Sequence, residues 1–253
     1  MKEILSGLPS RKNKNKKTGL TMMMDKGLSL RQTEDFLEVN SDYVDIIKLG
    51  FGTSIITPNI IEKIKIYHKH NMMVYVGGTL FEAFLIRKQI EDFKTYLNRI
   101  GIHMVEISDG TININHDLKC KYINEFSTDF KIISEVGSKL QSKEISENQW
   151  IKHMKKEIQA GSWKVIAEGR ESGNIGVFNN SGTIKHELIN NIIKEVSISD
   201  IIWETPKKEQ QAWFINTFGA NINLGNIAHD DIIPLECLRL GLRGDTFNKF
   251  IPN

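Results

Sequence analysis

"FKIISEVG", residues 130–137, decides how the chain reads. A short apolar run rich in β-branched residues, closing on a glutamate and a glycine, describes a buried strand whose end carries charge. The same shape recurs in "HMVEISD" at 103–109, "WKVIAEG" at 163–169 and "DIIWETP" at 200–206. Working outward, four further runs read as strands: "GLTMMMD" (19–25), "YVDIIKLG" (43–50), "MMVYVGG" (72–78) and "NINLG" (221–225). Between them apolar residues recur at helical spacing over 58–70, 80–101, 146–161, 186–196, 208–219 and 230–243. Pro58 and Pro234 fall in first turns, where a missing N–H costs little, and Gly101 and Gly161 supply C-terminal stops. Eight strands alternating with helices predict an α/β chain folded as a single-domain (β/α)8 TIM barrel. An open doubly wound sheet is the rival, but it needs no eighth strand, and no GxGxxG loop follows the first strand.

The bulk properties narrow the function. The chain has 253 residues, 40% hydrophobic and 25% charged, with a net charge of +2, too small to imply nucleic acid. "RKNKNKK" at 11–17 makes residues 1–18 a basic N-terminal arm, expected to be solvated, ahead of a barrel over 19–253. Cys120 and Cys237 lie far apart without metal-ligand spacing and read as free thiols, as in a reducing compartment. There is no signal-peptide pattern and no apolar run near the ~18 residues a membrane span needs, so a cytoplasmic protein without membrane contact is expected. The sequence leaves a homo-oligomer open.

In such a barrel the active site lies at the C-terminal ends of the strands. There the sequence places Lys26; Lys48 followed by "GFGTS"; Gly77, Gly78 and Thr79; Glu106 and Asp109; Glu135 with Lys139 beyond it; Glu168, Arg170, Glu171 and Ser172; Glu204; and Asn226. Neighbouring strands are about 4.8 Å apart, so carboxylates on them repel unless a cation lies among them. That cation is either a salt-bridge network from Lys48, Lys139 and Arg170, or a metal. Three carboxylate oxygens completed by water suit Mg2+, with Glu106, Glu135 and Glu168 as candidate ligands. Glycine-rich turns at "GFGTS", "VGGT" and "GRESG", with Lys26, Lys48 and Arg170, suit a polyanionic small molecule. Met22, Met23 and Met24 read as barrel core, and Trp150, Trp163 and Trp213 as packing between helices and barrel. Carboxylates holding a divalent ion stabilise an enediolate beside a substrate carboxylate, and a lysine such as Lys139 can move the proton on the adjacent carbon. The chemistry is then addition or elimination next to a carboxylate on a phosphorylated acid.

The blocks "TGLTMMMDKGL", "YVDIIKLGFGTS", "YVGGTLFE", "VEISDGTI", "SEVGSK", "AGSWKVIAEGRESG" and "IIWETPKKEQQ", with "LECLRLGLRGDT", together resemble the phosphosulfolactate synthase (ComA) family, in order, over about residues 11–247. The departures are "WETP" where the family pattern has "WEAP" and "VGGT" where it has "PGGT"; neither removes a charged candidate. The resemblance implies a (β/α)8 barrel that adds sulfite to phosphoenolpyruvate with Mg2+, giving (2R)-2-O-phospho-3-sulfolactate for coenzyme M or sulfolactate. It implies Lys139 as general acid, with Lys48 and Asp109 in the catalytic set, and Glu106, Glu135 and Glu168 serving the metal. It implies Lys26, Gly77, Gly78, Thr79, Arg170, Ser172, Glu204 and Asn226 around the anionic substrates. The family also contains stress-related members, so a non-catalytic role, or a lyase acting on another phosphorylated carboxylic acid, stands as the alternative.

Overall fold

The computed structural model describes residues 5–11, 16–137, 145–170 and 172–251. Eight strands alternate with helices: β1 (Thr21–Asp25), α1 (Leu30–Asn40), β2 (Ile46–Leu49), α2 (Thr53–Ile56), α3 (Ile60–Lys69), β3 (Met73–Val76), α4 (Gly78–Ile86), α5 (Ile90–Ile100), β4 (Met104–Ile107), α6 (His116–Phe126), β5 (Lys131–Val136), α7 (Glu147–Gln159), β6 (Ser162–Ala167), α8 (His186–Glu195), β7 (Ile201–Glu204), α9 (Lys208–Phe218), β8 (Leu224–Ile227) and α10 (Ile232–Arg239). The strands pair in parallel in sequence order and β8 closes on β1, so the sheet is the expected closed barrel.

Alternation along each strand sorts the core into two layers. Leu20, Met22, Ile46, Tyr75, Met104, Ile133, Ile166 and Ile202 fill the barrel interior, while Met23, Ile47, Val105, Ile132, Val165 and Trp203 face the helices. Two residues beyond five of the interior positions, on the same inward face, stand Lys48, Glu106, Glu135, Glu168 and Glu204. Strand period therefore delivers five charged side chains to one end of a barrel filled by buried hydrophobic side chains.

The opposite end is shut by charge. Arg239, fully buried, donates to the carbonyls of Ala220 (2.6 Å), Ile222 (2.7 Å) and Leu20 (3.2 Å). Burial, with the Arg11 charge nearby, pulls its pKa down to about 9. Arg11 pairs with Glu236 (2.9 Å) and Lys16 with Asp45 (3.1 Å). The side chains of these two arm residues are buried in ion pairs rather than solvated, adding donors to strand-bottom carbonyls and carboxylates beside those Arg239 brings.

Other departures from the sequence reading have local causes. α1 and α6 were not expected, although α1 opens on a capping box from Ser29 and Gln32. The single helix expected over 80–101 is two, broken where Lys88 turns left-handed (φ 59°) without a glycine or proline to announce it. β8 begins at Leu224, not Asn221, and the Asn223 side chain just before it accepts from Leu20 N and donates to the carbonyls of Ser199 and Ile201. Trp163 packs against the barrel interior, with the Lys131 ammonium 3.5 Å from its ring centroid, whereas Trp150 and Trp213 pack in the helix–barrel layer as expected. Among the described residues no helix is long and apolar enough to cross a membrane.

Candidate active site

Lys48 is the hub. It is 5% exposed, and its ammonium lies 3.1 Å from Glu106 Oε2, 3.1 Å from Glu204 Oε1 and 3.6 Å from Glu135 Oε2. Burial alone would pull its pKa down; Glu106, Tyr75, Glu204 and Glu135 outweigh that and hold it well above the ordinary lysine value. The ammonium is therefore a fixed positive charge in a low-dielectric pocket.

Backbone amides from the strand-end loops aim the carboxylates. Gly78 N, at the start of α4, donates to Glu106 Oε1 (2.8 Å). Arg170 N donates to Glu168 Oε1 (2.8 Å) and to Glu204 Oε2 (3.1 Å), and Gly169 N to Glu204 Oε2 (3.1 Å). One amide spans two glutamates because Arg170 adopts a left-handed φ of 59°. Glu168 is further enclosed by Gly137 (φ 128°) and Gly176 (φ 66°); a Cβ on either would collide with Glu168 itself.

Ligand oxygens of Glu135, Glu168 and Glu204 lie within 4.8 Å of one another, and all three residues are buried. Buried carboxylate oxygens converging from three adjacent strands fit a hard divalent cation such as Mg2+. The convergence lies one strand further round the barrel than the Glu106, Glu135 and Glu168 set read from the sequence. Glu106 instead belongs with Lys48 and the α4 N-terminus, and the Lys48 ion pairs share Glu135 and Glu204 with the converging carboxylates.

The remaining candidates divide. Gly77, Gly78 and Thr79 form the N-terminus of α4. Asn226 is 6% exposed with φ 55°, and its Oδ1 has no hydrogen-bond partner among the described residues. Lys26, Arg170 and Ser172 are exposed, at the ends of β1 and β6. Asp109 pairs with Lys119 (2.9 Å). Lys139 and Glu171 lie outside the described residues. Beside the carboxylates, a groove of about 1130 Å3 runs between the start of α7 and residues 174–188, lined in part by Trp150, Gly176, Phe178 and Lys185.

Two supporting groups, Glu82 and Lys119, escaped the sequence reading, and a third, Asp25, was read only as a charge at the end of β1. Glu82 of α4, 1% exposed, takes hydrogen bonds from Gly110 N (3.0 Å), Thr111 N (2.8 Å), Ser108 Oγ and Thr111 Oγ1, fixing the loop after β4. Asp25 turns outward to Lys63 (2.5 Å) and Tyr67 (2.9 Å) while accepting from Gly27 N and Leu28 N, which fixes the loop after β1. Lys119 of α6 holds Asp109, Glu157 (2.8 Å) and the Glu135 carbonyl (2.6 Å). A signal existed for two of them: Glu82 sits one turn into "GGTLFE", and Lys119 shares a helix face with Ile123 and Phe126, where a lysine needs a buried partner.

A parallel barrel with lysine and glutamates buried at its C-terminal end, aimed by helix N-termini and loop amides, defines an enzyme of the TIM-barrel class. Residues 9–245 match the family model described as (2R)-phospho-3-sulfolactate synthase (ComA), and the chain belongs to that family. It is 41% identical over 244 residues to a phosphosulfolactate synthase from Bacillus subtilis, covering 95% of this chain and 96% of the relative. A phosphosulfolactate synthase from Methanocaldococcus jannaschii is 41% identical over 237 residues, covering 91% and 94%. A heat-stress-associated protein of Arabidopsis thaliana is 21% identical over 238 residues, covering 84% and 81%. Among solved structures, 3-hexulose-6-phosphate synthase from Salmonella typhimurium superposes with TM-score 0.54 at 14% identity, covering 91% of this chain and 98% of that one, a likeness of fold.

Proposed function

We propose that this protein is a cytoplasmic lyase that adds sulfite to phosphoenolpyruvate to give (2R)-2-O-phospho-3-sulfolactate. The observation that carries the reading is the buried Lys48 ammonium ringed by Glu106, Glu135 and Glu204, with Glu168 beside them, at the barrel mouth of a chain 41% identical over 244 residues to a phosphosulfolactate synthase. In the reaction the sulfite sulfur forms a bond to C3, the C2–C3 π electrons shift to C2 and the carboxylate, and C2 then takes a proton.

Each group has a task in that scheme. Lys48 offers fixed positive charge to the substrate carboxylate as negative charge builds there. Glu135, Glu168 and Glu204 would hold Mg2+, whose chemistry is to oppose that same charge as a Lewis acid. The α4 N-terminus at Gly77, Gly78 and Thr79 presents amides to an anion. Lys26, Arg170 and Ser172 at the rim suit phosphate and sulfite oxygens, and the Asn226 amide suits a substrate polar group. Lys139 is assigned the proton to C2. Asp109, taken up by Lys119, supports the loop instead of touching substrate.

A phosphorus NMR time course with purified protein, phosphoenolpyruvate, sulfite and Mg2+ tests the reading. The expected result is a new phosphate-ester resonance that needs both sulfite and Mg2+. Folded protein that yields no new resonance would sink it and favour a stress-related or binding role. Consumption of another phosphorylated acid in place of phosphoenolpyruvate would keep the lyase and change its substrate.

A further inference from the structure

We propose that Lys119 is a positioning residue: it fastens the end of β5, and through it Glu135, in the geometry the reaction needs. Lys119 lies on α6, outside the barrel, and is 1% exposed. Its ammonium has three donors, and three acceptors surround it: Asp109 Oδ1 at 2.9 Å, Glu157 Oε1 at 2.8 Å and the carbonyl of Glu135 at 2.6 Å. These sit on the loop after β4, on α7 and on β5, so one ammonium joins three neighbouring elements at the active-site end.

The third contact ties this cluster to the chemistry. Glu135 faces two ways. Its carbonyl points out to Lys119, and its carboxylate points in to Lys48 (3.6 Å) and to the oxygens of Glu168 and Glu204. With the carbonyl held from outside the barrel, the strand end cannot twist without stretching a charge-assisted hydrogen bond. Burying an ammonium and a carboxylate at Glu157 (0% exposed) is a poor route to stability, since apolar residues of similar size pack as well. A cluster that fixes a carboxylate has a reason to keep the charges; one that only fills space does not. Glu157 is itself oriented by His116 Nε2 at 3.1 Å, and His116 stacks on His153.

The inference rests on the synthase reading for its kinetic arm, and hydrogen exchange tests it without that reading. The variant is Lys119→Met with Glu157→Gln, which removes both buried charges together; Asp109, with its side chain 25% exposed, can turn to water. The expected result is a folded protein whose kcat falls by about 10-fold to 100-fold, with KM for phosphoenolpyruvate changed by less than about 3-fold, as a small misplacement of a reacting group produces. Amides of 131–137 should also exchange at least about 10-fold faster than in the unsubstituted protein. A folded variant with unchanged kcat and unchanged exchange overturns the proposal. So does a loss of kcat that only tracks the unfolded fraction and is recovered on cooling. If the unsubstituted protein does not convert phosphoenolpyruvate and sulfite, the synthase reading fails, while exchange at 131–137 still decides whether Lys119 fastens the strand. Should the methionine variant not fold, Lys119→Gln with Glu157→Gln keeps a neutral donor and is judged by the same measurements: partial loss of kcat with faster exchange supports the proposal, and values equal to the unsubstituted protein overturn it.

Discussion

Lys48 follows the interior Ile46 by one strand period, and that puts it at the same inward-facing mouth as the glutamates that follow Met104, Ile133 and Ile202 by the same step. The sequence therefore showed which charged residues share the barrel mouth. It did not show which of them meet, because barrel stagger and loop amides, not strand number, set those distances. Glu204 was marked in sequence as a strand-end carboxylate near the substrates rather than as a metal ligand, yet it converges with Glu135 and Glu168. Removing the hub should be severe. Lys48→Met leaves buried carboxylates facing one another, and an expected loss of about 3–5 kcal/mol in urea unfolding accompanies a fall in kcat of at least about 100-fold. Wild-type stability in that variant would show that the glutamates are neutralised some other way. Glu135→Gln removes one charge from the converging oxygens; the Mg2+ concentration for half-maximal turnover should rise by about 10-fold. An unchanged titration would assign the cluster to salt bridges alone.

At the scale of elements, helix starts and strand-end loops turn strand ends into a site. α4 begins at Gly78, whose amide holds Glu106, and its Glu82 holds the loop after β4. The loop pattern "VGGT" was legible as an anion-binding turn; the clamp was not, because Glu82 acts across to a loop nearly thirty residues later in sequence, and helical period says nothing about that partner. Likewise α6, which brings Lys119, carries three polar residues in its first four and showed no clean apolar face. Gly78 tests the arrangement. A Cβ there would lie 2.5 Å from Glu106 Oε1 and collide with Ser108 Oγ. Gly78→Ala should cost about 1–3 kcal/mol through overpacking and lower kcat by at least about 10-fold by displacing Glu106. An alanine variant with normal turnover and normal melting would mean that the α4 N-terminus does not set the Glu106 position.

Across the whole molecule, the barrel separates an apolar interior layer from the charged mouth, and the charges outside the mouth set how stability responds to pH. On the helix side, the His153 pKa is lowered to about 4 from an ordinary 6.5, first by burial and next by the neighbouring His116 ring 3.7 Å away, with Lys119 adding to the effect and Glu157 and Asp109 opposing it. The sign follows from proton counts. Between about pH 6.5 and about pH 4 the unfolded chain binds a proton at this residue that the folded chain refuses, so folding weakens as pH falls through that window and levels off below it. Lys119, whose pKa is raised by carboxylates that outweigh its burial, stays charged throughout, and its contribution is lost only on the alkaline side. Surface carboxylates such as Asp117 and Glu195, held low by hydrogen bonds from Lys156 and Lys155, lose their contributions at still lower pH. His153→Gln should therefore flatten the fall in urea midpoint between about pH 6.5 and about pH 4.5 while leaving the midpoint near pH 7 close to that of the parent. If the variant loses stability over that interval as steeply as the parent does, the titrating group is elsewhere, and the stacked histidine pair is packing alone.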